Sequence, residues 1–345
     1  VKTSSFSFEL PPDRIAQKPP DRRGASRLLL LRRAGGLVRH SLVRELPAHV
    51  APGTVMVLND TRVRKARLFG SAEPTGGSVE VLLLEEVGPG LWRTLTSRMK
   101  KQQPGRRIRF PEGVCATVRV HEPEAGANDA CRYLEFRPPL DEAYLERYGH
   151  VPLPPYIRRP DTPADAERYQ TVYARVSGSA AAPTAGLHLT EQLLEELRRR
   201  GVELAYLTLH VGHGTFLPIR RPELEQHQMH EESYSIGPET AQAVARARRE
   251  GRPVLAVGTT VVRALESAFR DGELATGWQR TSLFIRPGFT FQVVSQLLTN
   301  FHTPRSSLLV LVSAFAGRER VLEAYQEALR AGYQFYSYGD AMLIQ

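Results

Sequence analysis

The chain has 345 residues, enough for about two domains and an ample hydrophobic core. Apolar residues make up 41% of it, which excludes intrinsic disorder, and its longest apolar runs, 28–31 and 308–312, are too short to cross a bilayer as helices. The formal charge of +9 is carried mostly by arginine, whose planar fork grips phosphate, so it points either to a nucleic-acid partner or to an arginine-biased genome.

The opening run Lys2-Thr3-Ser4-Ser5-Phe6 has no apolar core, so the expectation is no signal peptide and a cytoplasmic location. Residues 53–58 read as a buried strand ending in the polar cluster Asn59, Asp60, Thr61 and Arg62. From about 64 to 137 the texture changes to short runs separated by Gly and Pro, at 78–84, 91–96, 106–110, 114–120 and 132–136. Strands of this length without helical periodicity predict a small β-barrel or sandwich. Within it, Cys115 and Cys131 form no C-x-x-C and read as reduced thiols. A short helix at 140–148 and a Pro-rich connector at 151–155 follow.

From about 190 helix and strand alternate. Thr190 caps a helix with Leu193, Leu194 and Leu197 on one face. A strand at 202–209 comes next, then a helix opened by Gly237-Pro238-Glu239 and ended by Gly251. The pattern continues with a strand at 253–257, a helix at 260–270, strands at 281–285 and 307–312, a helix at 318–330 and a last strand at 341–344. These strands lack strict polar alternation, as strands covered on both faces do. The expected fold is therefore α/β: a larger α/β domain with a mostly parallel sheet, at 1–63 and 151–345, interrupted at 64–150 by a smaller all-β, barrel-like domain.

Open α/β sheets bind ligands beyond the carboxyl ends of their strands. Three such ends carry chemistry: Asn59, Asp60, Thr61 and Arg62; His210, Gly212, His213, Gly214 and Thr215; and Thr259 and Thr260, with Arg263 and Glu266 one turn further on. Glycine lets a backbone approach a ligand, and a helix N-terminus at Thr259-Thr260 suits a carboxylate or phosphate. Each residue also has a plainer reading. Thr260 can be a helix cap, Asp60 the head of a local turn, and Arg263 with Glu266 a surface ion pair. The convergence of three strand ends favours a site.

The pairs His210/His213 and His227/His230, followed by Glu231, fit no standard zinc spacing, so no metal is expected. Acid-base work by an imidazole is the alternative. Gly212-x-Gly214 lacks the third glycine of a dinucleotide fingerprint, and no P-loop occurs. In the β-domain, Arg98, Lys100, Lys101, Arg106, Arg107 and Arg109 form a run without an acid until Glu112, either a solvated loop or a phosphate-contacting one. Arg62, Arg64, Lys65 and Arg67 form a second cluster.

Ordered motifs along nearly the whole chain add to this reading. They include Leu58-Asn59-Asp60-Thr61-Arg62-Val63, Tyr169-Gln170-Thr171-Val172-Tyr173-Ala174 and Ala181-Ala182-Pro183-Thr184-Ala185-Gly186-Leu187-His188. Further on stand Leu207-Thr208-Leu209-His210-Val211-Gly212, His230-Glu231, Val257-Gly258-Thr259-Thr260, Leu298-Thr299-Asn300-Phe301-His302 and Tyr338-Gly339-Asp340-Ala341-Met342. With these the chain resembles the S-adenosylmethionine:tRNA ribosyltransferase-isomerases of queuosine biosynthesis. It departs from them at Leu189, Ser295 and Thr303, and the stretch 96–103 fits poorly.

The resemblance implies an α/β domain interrupted by a β-barrel. It also implies transfer of the ribosyl part of S-adenosylmethionine to 7-aminomethyl-7-deazaguanine at the tRNA wobble position, forming epoxyqueuosine and releasing adenine and methionine. S-adenosylmethionine is then a co-substrate, no further cofactor is called for, the partner is tRNA, and a monomer is the favoured state. Candidates for proton transfer are His188, His210, His230 and Asp60. The substrate site would add Thr184, Gly186, Glu231, Asn300, His302 and Asp340 to the strand-end residues. The rival classes are a metal-dependent hydrolase built on the histidines and a non-catalytic RNA-binding protein.

Overall fold

The structure is a computed structural model that describes residues 1–36, 38–120, 131–212 and 218–345. Its chain divides into two compact units, one of Val1–Arg62, Pro154–Pro160 and Glu167–Gln345, the other of Val63–Leu153 and Asp161–Ala166.

The first unit is built on a sheet of nine strands among the described residues: β1 (Arg27–Leu31), β2 (Val38–Leu42), β3 (Val55–Asn59), β4 (Glu203–Leu209), β5 (Glu232–Ile236), β6 (Val254–Val257), β7 (Gly277–Thr281), β8 (Gln296–Asn300) and β9 (Ala341–Ile344). The spatial order is β7-β5-β4-β3-β6-β8-β9-β1-β2. The run β4-β3-β6-β8 is parallel, as is the β9-β1 pair. The β1-β2, β4-β5, β5-β7 and β8-β9 pairs are antiparallel. The sheet is mixed, which corrects the expectation of a mostly parallel one. Alternating elements reveal that strands exist but not which way each one runs, and a short link such as that between β1 and β2 forces an antiparallel pair.

The five longer helices of this unit are α1 (Glu191–Arg199), α2 (Pro238–Arg249), α3 (Thr259–Ala268), α4 (Ser307–Ala316) and α5 (Arg318–Arg330). Successive side chains of β3 point to opposite faces. Val55 and Val57 join a core with Val261, Leu265 and Leu309, whereas Met56 and Leu58 join another with Leu193, Leu194 and Leu197. Both layers bury the strand, which explains its unbroken apolar run.

Two predicted strands are not strands. Residues 307–312 lie in α4, which is apolar all round and almost wholly buried. A short apolar run has no periodicity to separate strand from helix. The Ser306 hydroxyl, which accepts from the Leu309 amide at 3.2 Å, starts the helix. Residues 281–285 leave the sheet, because β7 ends at Thr281. The buried strand β8 shows in the sequence only as a motif.

The second unit is a closed six-stranded antiparallel barrel of Arg67–Ala72, Gly77–Gly88, Leu91–Thr96, Arg107–Arg109, Cys115–Arg119 and Arg132–Arg137. Closure leaves no open edge. Leu68, Val81, Ile108, Ala116, Leu134 and Phe136 fill it. The short segment Asp161–Ala166 belongs to this unit; Asp161 accepts from the Val151 amide at 3.0 Å and faces His150 Nδ1 at 2.9 Å. Cys115 and Cys131 are not bonded to each other.

Candidate active site

The carboxyl ends of β3, β4 and β6 are tied together by one side chain, Asn59. Its amide nitrogen donates to the Leu209 carbonyl at 3.0 Å and to Thr260 Oγ1 at 3.3 Å. Its oxygen accepts from the Leu209 amide at 3.0 Å and the Thr61 amide at 3.1 Å. Two donors and two lone pairs are all that an asparagine has. Asn59 is thus saturated by the protein and clamps three strand ends, so it has no hydrogen bond left for a ligand.

Asp60 follows it and is 1% exposed. Its Oδ1 accepts from Thr208 Oγ1 at 2.6 Å, and its Oδ2 pairs with Arg175 at 2.7 Å. Its backbone carbonyl accepts from the amides of Arg175 and Val176. This is more than a local turn: a buried carboxylate is held by a hydroxyl and by an arginine whose own side chain is 74% exposed. The charge is buried on one side of the pair only, so the arginine is the part able to meet solvent or an anion. Sequence patterns do not single out Arg175, although it directly follows the Tyr169–Ala174 motif.

Thr61 Oγ1 lies 2.8 Å from His210 Nδ1. The His210 ring is stacked on Trp278, with centroids 5.3 Å apart and planes at 29°. Its other nitrogen abuts Gly178: a Cβ there would lie 2.8 Å from Nε2, and Gly178 has a φ of +145°. Only glycine satisfies both conditions. The amide of Gly212 donates to Glu232 Oε1 at 2.9 Å. Glu232 Oε2 in turn pairs with Arg263, and both side chains are buried. Arg263 also donates to the Leu283 carbonyl at 3.1 Å. Arg263 and Glu266 therefore do not form a surface pair. Glu266 instead accepts from the amides of Gln292, Val293 and Val294 at 2.9, 3.1 and 2.9 Å. Thr260 is not a cap either, since Gly258 holds the cap position before the helix and Thr260 Oγ1 serves Asn59. Thr259 lies buried beside it.

A short turn, Thr184–His188, brings in the next residues. Gly186 packs against Tyr173, whose hydroxyl would be 2.1 Å from any Cβ at that position. Tyr173 is raised above the usual phenol range by burial first, with Tyr206 and Asp60 adding to it. His188 is buried, and burial lowers its pKa to about 4 against the opposing effect of Asn300. It borders a cavity of about 10 Å³ with Ser26, Ser337 and Tyr338, room for one water.

Three other candidates, His302, Asn300 and Asp340, are buried within the protein. His302 is lowered to about 3 by burial, its ring nitrogen 2.8 Å from Thr299 Oγ1. Asn300 donates to the Tyr336 carbonyl at 2.9 Å. Asp340 accepts from the Arg27 amide at 2.7 Å and the Gln334 amide at 2.8 Å, which makes it a staple for the last strand. Burial raises its carboxyl, and those amides pull it down. His230 and Glu231 are exposed, and Glu231 pairs with Arg280 at 2.6 Å. Arg62 is exposed as well. His213, Gly214 and Thr215 lie outside the described residues. Among the described residues no three His, Cys, Asp or Glu side chains converge as a metal site needs, and no helix is long and apolar enough to cross a membrane.

In the barrel, Arg106 donates to Thr75 Oγ1 at 2.8 Å, and the Arg98 guanidinium lies against Gly77 of the same turn. Arg107 and Arg109 flank the inward Ile108 and share one acid, Glu73, at 3.5 and 2.6 Å. Lys100 and Lys101 are exposed. Three members of the second cluster are spent on ion pairs: Arg64 with Glu142, Lys65 with Glu146, Arg67 with Glu80.

A mixed α/β sheet with polar groups converging at its strand ends, and a barrel inserted in its chain, describe an enzyme of the α/β class. The family model described as queuosine biosynthesis protein matches residues 3–344, and the chain belongs to that family. It is similar to the S-adenosylmethionine:tRNA ribosyltransferase-isomerase of Thermus thermophilus, 52% identical over 345 residues that cover 99% of this chain and 98% of that one. The protein of the same name from Treponema denticola is 46% identical over 347 residues, 99% of each chain. A solved S-adenosylmethionine tRNA ribosyltransferase from Thermotoga maritima is 35% identical, covers 99% of this chain and 100% of its own, and superposes with a TM-score of 0.57.

Proposed function

We propose that the chain is an S-adenosylmethionine:tRNA ribosyltransferase-isomerase acting in queuosine biosynthesis. It moves the ribosyl unit of S-adenosylmethionine onto the aminomethyl group of 7-aminomethyl-7-deazaguanine at the tRNA wobble position. The ribose rearranges to an epoxycyclopentane, and adenine and methionine leave. The reading carries with it a cytoplasmic monomer whose partners are tRNA and S-adenosylmethionine, with no cofactor or metal. The observation that carries it is the end-to-end match to relatives of that name, joined to a built polar site at the strand ends.

The reaction has three demands. The sulfonium acidifies the ribose 5′ carbon, so a base must reach it. Adenine leaves more readily when it is protonated or accepts a hydrogen bond. The attacking amine must be neutral. Asp60, buried and already paired with Thr208 and Arg175, positions the exposed Arg175 at the strand end. His210, oriented by Thr61 and backed by Trp278, is the imidazole best placed to exchange a proton beside it. His188 and His302, with pKa values near 4 and 3, are neutral imidazoles at pH 7, weak as bases but able to donate or accept a hydrogen bond. The test is incubation with S-adenosylmethionine and tRNA bearing the aminomethyl precursor, with a chelator present. Adenine and methionine should appear in equal amounts. Methyl transfer without adenine release would sink the proposal, and restoration by zinc of an activity lost to the chelator would favour a metal-dependent hydrolase.

A further inference from the structure

Trp278 sits on β7, which forms one edge of the large sheet. Residues paired across neighbouring strands share a face. Thr208 pairs with Ser235, and Ser235 with Trp278. Thr208 bonds Asp60, so Asp60, Thr208, Ser235 and Trp278 form one row across the sheet. Arg280, two residues on from Trp278, shares its face and pairs with Glu231. Yet Trp278 is 58% exposed although it is stacked on His210. Tyr234, from the opposite face, is buried in the core, so only the face carrying Trp278 presents a large ring to solvent at this edge. Large exposed aromatics beside polar, basic side chains are what single-stranded bases stack on.

We infer that Trp278 is a stacking platform for a nucleobase, which it holds at the sheet edge beside His210. This rests on the tRNA-modifying reading above. The chemistry recognised is a flat heteroaromatic base, and the reaction offers two: the deazaguanine of the RNA and the adenine of S-adenosylmethionine. Indole fluorescence separates them, because the chain has two tryptophans and the other, Trp92, is buried in the barrel. The full chain is titrated with S-adenosylmethionine alone, and separately with an anticodon stem-loop carrying the aminomethyl-deazaguanine. Trp278→Phe serves as the control that reports Trp92 only.

One ligand should quench the emission of the wild-type chain and leave that of Trp278→Phe unchanged. Trp278→Ala should bind the same ligand about tenfold more weakly and raise its KM, and Trp278→Phe, which keeps a ring, should recover most of that loss. Quenching by the RNA assigns the platform to the tRNA base, and quenching by S-adenosylmethionine assigns it to adenine. No quenching by either, with wild-type KM values in a folded Trp278→Ala, overturns the inference and leaves the ring as a cover for His210. The fluorescence titration needs no turnover. A wild-type chain that binds but releases no adenine would therefore fail the functional reading and not this one.

Discussion

A single buried carboxylate, Asp60, anchors the proposed site. Thr208 and Arg175 hold the Asp60 carboxylate, and its position next to the saturated Asn59 leaves it little freedom. Asp60→Asn should lower the maximal rate by about a hundredfold or more, as should His210→Ala, with tRNA affinity little changed. Single-turnover rates read beside thermal midpoints check this; full rate in a folded variant would remove that residue from the catalytic set. Glu232 acts differently. Replacing it by Gln leaves Arg263 as a buried cation without its counter-ion, which typically costs about 3–5 kcal/mol, so the thermal midpoint should fall even before activity is measured. An unchanged midpoint would show that water reaches the guanidinium. The two buried histidines set a pH dependence. Their folded pKa values, about 4 for His188 and about 3 for His302, lie below the ordinary 6.5. The unfolded chain therefore binds more protons between these limits, and stability is lost as the pH falls from about 6.5 towards 3–4. Thermal midpoints across pH 7 to 4 should drop, and His302→Gln should flatten that slope while lowering stability at pH 7.

At the level of elements, the site depends on how strand ends are locked to the segments laid across them. The segment Val176–Ser179 runs against His210, with the backbone of Gly178 tight against the ring. A methyl group there would meet the imidazole and force an unfavourable φ. Gly178→Ala is expected to displace His210 and lower kcat by about tenfold or more, with S-adenosylmethionine binding less affected. A variant with wild-type kcat would mean that the exact seat of the ring is not used in the rate-limiting step. The helix α4 shows the opposite case, an element whose identity its own residues do not reveal. Ser307–Ala316 is apolar enough for a buried strand or a buried helix, and the Ser306 cap together with a Gly317 φ of +90° decides for helix.

For the whole molecule, the relevant quantity is charge. The net charge of +9 suits an RNA substrate, and the barrel contributes Arg98, Lys100, Lys101, Arg106, Arg107 and Arg109. Arg107 and Arg109 share Glu73, so their attraction for phosphate is partly offset already. Neutralising Arg106, Arg107 and Arg109 together should weaken tRNA binding. The dependence of log affinity on log salt should flatten by on the order of one unit for each phosphate no longer neutralised. A slope that does not change would mark this face as merely solvated.

Much of the architecture was legible in the residues alone. Short Gly- and Pro-punctuated runs pointed to the barrel, and the strand ends at Asn59–Arg62, His210–Gly212 and Gly258–Thr260 were found because polar clusters after apolar runs obey a local rule. What stayed hidden was whatever depends on partners distant in the chain. Strand direction in the mixed sheet is set by which edges meet, not by any one strand's composition. Arg175 and Glu232 look like ordinary surface charges until Asp60 and Arg263, 115 and 31 residues away, are folded against them. Conversely Asn59 and Asp340, which the motifs offered as ligand-binding residues, spend hydrogen bonds on the protein itself, on backbone groups and, for Asn59, on Thr260 as well. Residue type and spacing determine which groups are capable of chemistry; only the tertiary structure decides which of them remain unspent, because a hydrogen bond or a counter-charge, once made inside the protein, no longer serves a ligand.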